Sequence, residues 1–129
     1  CPLLKKQIAL SVVLKGEPDA PDAITARMSA FAERRWSTQP RARSAGCIFR
    51  NPETIPAGKL VDELGFKGLV EGGAMVSEEH ANFIVNTGEA TAGDILRLIQ
   101  RIQEKALVER GIRLKTEVQI VGVEQARDD

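Results

Sequence analysis

Residues 91–111 read TAGDILRLIQRIQEKALVERG. Ile95, Leu98, Ile99, Ile102 and Ala106 recur at the spacing that collects side chains on one face of an α-helix. Thr91 and Asp94 stand three apart at its start, as in a capping box, where the hydroxyl accepts from the backbone and the carboxylate reaches back. Gly111 stops the helix. The next stretch, IRLKTEVQIVGV at 112–123, changes period. Ile112, Leu114, Val118 and Ile120 fall on one face, and Arg113, Lys115, Glu117 and Gln119 on the other, which predicts a strand.

Working outward, NFIVN at 82–86 reads as a buried strand, and the glycine pair in LVEGGAMV at 69–76 as a turn or bulge. Ala57, Leu60, Val61 and Leu64 predict a short helix over 56–64, with Pro56 in its first turn and Gly65 at its C-cap. STQPRARSAG at 37–46 reads as a polar loop. Ile24, Met28, Phe31 and Ala32 predict an amphipathic helix over 22–36. KGEPDAPDA, before and into it, is a turn suited to a helix start, and IALSVVL at 8–14 reads as a strand. The resulting order, strand, helix, loop, helix, strand, strand, helix, strand, predicts an α+β fold. It is a small β-sheet packed with about three helices in a single domain spanning residues 1–129.

Composition narrows the function. Eighteen Lys and Arg offset eighteen Asp and Glu, which argues against nucleic acid or an anionic membrane as the main partner. No apolar run approaches the roughly 20 residues of a membrane span, and QIALSVVL is too short for a signal peptide. The cysteines are Cys1 and Cys47, which makes a disulfide framework unexpected and a reducing cytoplasm the expected compartment. The chain opens on CPLLKK without an initiator Met, as a fragment or excised domain would.

One histidine and no paired cysteines exclude the familiar zinc patterns, and no metal is expected. There is no Walker or dinucleotide glycine motif, and Gly72-Gly73 alone reads as a turn. Cys47, in RARSAGCIFRNP at 41–52, is either a small buried residue or a chemical one. Arg41, Arg43 and Arg50 stand near it in sequence, and such cations would lower a thiol's pKa. No histidine lies close enough in sequence to serve as its base, so a cysteine-protease arrangement is disfavoured. Singly, Asn51 reads as a turn residue, Glu117 as a solvated strand residue, His80 as a surface or capping residue, and Arg34 and Arg35 as helix-end cations.

Taken in order, SAGCIFRNP, AGKLVDELGFKG, GGAMVSEEHANFIVN and the whole of 91–122 resemble the C-terminal region of the UDP-N-acetylenolpyruvoylglucosamine reductase family. Members are also called UDP-N-acetylmuramate dehydrogenases. The short separation of FRNP from AGKLVDELG resembles the shorter-insert subclass. The resemblance implies a bacterial cytoplasmic flavoenzyme of peptidoglycan precursor synthesis, using FAD and NADPH. Its substrate would be UDP-N-acetylglucosamine enolpyruvate and its product UDP-N-acetylmuramate. It also implies that the FAD-binding region of that enzyme lies outside these residues, leaving residues 1–129 as a substrate-binding domain that cannot turn over alone. The other reading is a stand-alone nucleotide-sugar binding or regulatory module.

Residue by residue, the resemblance places Cys47 where relatives carry a serine that protonates the substrate carbanion. A thiol, with a pKa of about 8.5, is a better acid than a serine hydroxyl. Glu117, in TEVQIVG, falls on the family's catalytic glutamate, although Thr116 and Gln119 replace the usual flanking proline and arginine. Asn51, Lys67 and His80 fall at substrate-contact positions. A phosphate-contacting cation is implied near the end of the first helix, where Arg34 and Arg35 both qualify and Arg35 is taken as the contact.

Overall fold

A computed structural model of the chain describes residues 10–122. It contains helices α1 (Pro21–Trp36), α2 (Ala57–Glu63) and α3 (Ala92–Arg110). The strands are β1 (Ser44–Cys47), β2 (Val70–Glu71), β3 (Ala74–Val76) and β4 (Phe83–Asn86). The strands form one antiparallel sheet in the order β1-β4-β3-β2. This is the expected α+β class with three helices. The chain divides into two compact units, Cys1–Glu33 and Arg34–Asp129, and the second contains the whole sheet and core.

The core of the second unit forms where the faces of α2 and α3 meet the sheet. Leu60 and Val61 from α2, Val76 and Ile84 from the sheet, and Leu98, Ile99 and Ile102 from α3 are all buried. Phe49 and Leu114 close it from the chain outside these elements. Helix α3 has the ends its sequence asks for. Thr91 Oγ1 accepts from Asp94 N at 3.1 Å while Asp94 Oδ2 accepts from Thr91 N at 2.9 Å. Gly111 takes the left-handed conformation, φ 65°, that closes the last turn.

Asp94 also accepts from Gly73 N at 3.4 Å and from Arg97. Hydrogen bonds from Thr91 backbone and side chain, with Gly73 and Arg97 adding to them, hold its carboxyl below the usual range. A depressed folded value means that its stabilising contribution is present above the unfolded carboxylate pKa and is lost as pH falls through the folded one. Acid unfolding of the wild type should therefore show a loss of stability below about pH 4 that Asp94→Asn flattens. Thermal melts of both proteins from neutral to acid pH measure it. Parallel curves would show that the cap does not carry the acid sensitivity.

Three sequence expectations need correction. First, of the strand expected at 8–14, residues 8 and 9 lie outside the described residues and 10–14 form no strand. Leu10, Val12, Val13 and Leu14 are 73–96% exposed, and no ladder partner stands beside them among the described residues. Apolar content without a neighbouring strand does not make one. Helix α1 begins at Pro21 as its pattern requires, yet none of its residues is buried.

Second, the loop expected over 37–46 ends as strand β1, whose residues Ser44 and Cys47 pair with Val85 and Phe83. Serine, alanine and glycine carry little β propensity, and the strand exists because β4 supplies its ladder. Third, residues 112–122 form no strand and make an isolated bridge, Thr116 to Phe49, and residue 123 lies outside the described residues. Around the bridge, Glu117 N donates to Ile48 O at 2.7 Å and Arg50 N donates to Lys115 O at 2.9 Å. The alternation of faces survives: Leu114 is buried and Ile112, Val118 and Ile120 are half-buried, while Arg113, Lys115, Glu117 and Gln119 are exposed.

The glycine pair is the turn expected of it. Gly72 and Gly73 form a two-residue hairpin loop, with Glu71 opposite Ala74 and Gly72 at φ 54°.

Candidate functional site

A cleft of about 340 Å³ opens between α2, the end of β1 and the connection from β3 to β4. Four of the six residues singled out from the sequence line it: Cys47, Asn51, Lys67 and His80. They are joined by Lys59, Asp62, Glu79 and Asn82. The volume lies at the lower end of the range for small-molecule sites.

Cys47 is the last residue of β1, opposite Phe83, and its thiol is free and half-buried. The β1–β4 register shifts between Ser44 and Cys47, so the strand is irregular where it reaches the cleft. Burial pushes the thiol's pKa up, and the Glu117 carboxylate pushes it further; a hydrogen bond from Asn82 works the other way. This reverses the expectation drawn from the neighbouring arginines. Arg41 lies 5.8 Å over the Trp36 ring, and Arg43 lines a different hollow with Ile48, Ile84 and Ile95. None of the three arginines is among the causes that shift the thiol, which is therefore protonated at neutral pH.

Glu117 reaches the site through the bridge beside Phe49, where its N–H is fixed to Ile48 O. It is exposed and does not line the cleft, but its charge acts on Cys47. A neutral thiol beside a carboxylate is suited to give a proton to a developing carbanion. The thiolate left behind is disfavoured by that same carboxylate and is driven to recover a proton.

His80 lies half-buried, its ring edge-on to Phe83 at 4.9 Å between centroids and against Gly58 of α2. A side chain at 58 would meet the His80 ring at 2.9 Å, so glycine there makes room for the ring. His80 Nδ1 accepts from Asn82 N at 3.1 Å, which leaves Nε2 as the ring's donor atom. Asn51 Oδ1 accepts from Ala57 N at 2.9 Å, tying the chain after β1 to the start of α2. Lys67 pairs with Asp62 at 2.7 Å, and Lys59 reaches Glu63 at 3.9 Å. Glu79 accepts from Ser77 Oγ at 2.7 Å, which keeps its carboxyl below the usual range.

Arg35 is not among the cleft-lining residues. Its Nε donates to Gln39 Oε1 at 3.3 Å, and its guanidinium lies 5.4 Å over Trp36. Asn82 is the site residue that the sequence reading missed, absorbed there into the apolar run NFIVN. Its signal was a polar amide at the head of a buried strand, directly after His80 and Ala81.

No group of three or more His, Cys, Asp or Glu among the described residues could hold a metal ion. No helix among them is long and apolar enough to cross a membrane.

The family described as UDP-N-acetylenolpyruvoylglucosamine reductase, C-terminal domain, matches residues 39–121. A UDP-N-acetylenolpyruvoylglucosamine reductase from Desulfosudis oleivorans is 51% identical over 106 residues, covering 81% of this chain and 34% of the relative. One from Caulobacter vibrioides is 43% identical over 116 residues, covering 89% and 38%. The crystal structure of the UDP-N-acetylenolpyruvylglucosamine reductase from Thermus caldophilus superposes with a TM-score of 0.65 at 43% identity. That match covers 80% of this chain and 36% of the other. The chain thus spans 34–38% of the length of these curated relatives.

Proposed function

Since the chain belongs to the UDP-N-acetylenolpyruvoylglucosamine reductase family, in which it matches the C-terminal domain, we propose that it is the part of such a reductase that binds the UDP-sugar and protonates it. The substrate is UDP-N-acetylglucosamine enolpyruvate and the product UDP-N-acetylmuramate, in a bacterial cytoplasm. The observation that carries this reading is the convergence of Cys47, Asn51, Lys67 and His80 on one cleft, from three separate stretches of the sequence.

The cleft is about 340 Å³ and the chain lacks a glycine-rich dinucleotide loop, so FAD and NADPH would be held by the remainder of the longer protein and supply the hydride from there. What this chain contributes is the proton. The Cys47 S–H bond breaks as a C–H bond forms at the carbon beside the substrate carboxylate. The thiolate that results recovers its proton from solvent, favoured by the Glu117 charge. Asn51 and Lys67 serve the diphosphate, Asn51 through the amide hydrogens its cap bond leaves free and Lys67 by exchanging Asp62 for a phosphate oxygen. His80 contributes an Nε2 donor. Arg35 is retained as a phosphate contact only on the family resemblance.

Titrating the isotope-labelled chain with UDP-N-acetylglucosamine tests the binding half of this reading. Amide resonances of Asn51, Lys67 and His80 should move together, and Lys67→Ala should weaken binding about tenfold, the size expected for losing a charge-assisted hydrogen bond. Shifts confined to the outer face of α3, or none at saturating sugar nucleotide, would overturn it.

A further inference from the structure

Asn82 is 3% exposed, and its polar groups are bonded to Ile48 and Phe49, the two residues that follow Cys47, and to His80. Its Oδ1 accepts from Phe49 N at 2.9 Å and its Nδ2 donates to Phe49 O at 2.9 Å. Its carbonyl accepts from Ile48 N at 2.8 Å, and its own N–H donates to His80 Nδ1 at 3.1 Å. The carboxamide thus does for Phe49 what a neighbouring peptide does in a sheet. It does so just after the point where the β1–β4 register breaks, between Ser44 and Cys47. A side-chain amide carries donor and acceptor in one plane, as a peptide does, so it can replace a missing ladder partner.

Resting on the reading of Cys47 as the acid, we infer that Asn82 is the positioning residue of this site. Its side chain pins Phe49 and its carbonyl pins Ile48 just past the register break, and together they aim the Cys47 thiol into the cleft. Its backbone N–H sets the His80 ring. Leucine at 82 would fill similar space but leave both Phe49 backbone groups unpaired in a buried setting. Aspartate would keep the bond from Phe49 N–H, lose the one to Phe49 O, and set a second carboxylate near the thiol.

The test uses the full chain with Cys1→Ser, so that a single thiol titrates. The pH dependence of Cys47 alkylation by iodoacetamide is measured alongside the Asn82 side-chain amide resonances and hydrogen exchange at Phe49 N–H. In the parent, the Asn82 amide resonances should shift with the midpoint of the Cys47 titration, and Phe49 N–H should exchange slowly. Asn82→Ala and Asn82→Asp should each move the thiol titration to higher pH. Asn82→Asp should slow alkylation at a fixed pH by about tenfold, the equivalent of one pKa unit. An unchanged titration in a folded variant overturns the proposal. Should neither variant fold, amide resonances in the parent that stay still through the Cys47 titration overturn it equally. If the coupling is present but Cys47→Ala still reduces substrate, the acid assignment has failed and the Asn82–Cys47 coupling has not.

Discussion

Replacing Cys47 by alanine, in a protein that also carries the flavin-binding region, should lower reduction of the enolpyruvyl UDP-sugar by about 10²–10⁴-fold, the usual worth of a positioned general acid. NADPH oxidation in the absence of substrate needs no proton delivered to a substrate carbon and should be unaffected. Cys47→Ser should keep substrate reduction, because the hydroxyl has the thiol's reach and can stand in the same place as a proton donor. Single-turnover mixing of the reduced protein with substrate separates the steps. Substrate reduction at the parental rate in Cys47→Ala would remove the residue from the mechanism.

The pH profile sharpens that test, because the thiol's shift has a definite sign. Burial and the Glu117 charge raise its folded pKa, so the acid form is present through neutral pH and is lost only as pH rises through the raised value. The substrate step should therefore fall off on the alkaline side in the parent, and that limb should be absent in Cys47→Ser. Glu117→Gln removes one of the two raising causes, so the limb should move to lower pH, while substrate still binds and reacts slowly. Stability carries the same sign. The contribution of a group with a raised folded pKa is present below the unfolded thiol value and is lost as pH climbs through the folded one.

The sequence announced the elements that carry their own periodicity. Helix α3 has its stripe, capping box and terminal glycine within one stretch, and its boundaries matched. Strand β4 and the glycine hairpin were legible for the same reason. The errors fell where pairing, rather than pattern, decides. SAGC has no strand signal of its own and becomes β1 because β4 lies beside it, while the apolar 10–14 stretch has no such neighbour among the described residues. The cleft followed a similar division. Four residues named from the family resemblance do meet. The direction of the Cys47 shift could not be read from Arg41, Arg43 and Arg50, since adjacency along the chain says nothing of where a guanidinium ends up. Arg41 is on Trp36, and it is Glu117, 70 positions downstream, whose charge reaches the sulfur.

Gly73→Ala should destabilise the second unit by about 3 kcal/mol, near the top of the usual range for forcing atoms into a packed site. A Cβ at 73 would stand 2.4 Å from Ala90 N and 2.4 Å from the Glu89 carbonyl carbon, both backbone atoms that no side-chain rotation can clear. The segment over Gly73 would have to lift. That strains the bonds from Thr87 N and Thr87 Oγ1 to Gly73 O, each 2.9 Å, and the one from Gly73 N to Asp94. The cost therefore spreads from the hairpin to the cap of α3. Gly93, one turn into the same neighbourhood, makes the control. Its added Cβ would meet the end of the Arg97 side chain at 3.3 Å and Thr91 Oγ1 at 3.6 Å, and the arginine can swing away. Alanine is also the better helix former by about 1 kcal/mol, so Gly93→Ala should be neutral or stabilising. Thermal melts should separate the two variants by well over 10 °C, at roughly 4–8 °C per kcal/mol for a domain of this size. Equal melting temperatures would mean that the β2–β3 turn can leave the 87–91 segment without consequence, and that the close packing of hairpin on helix cap does not hold this fold together.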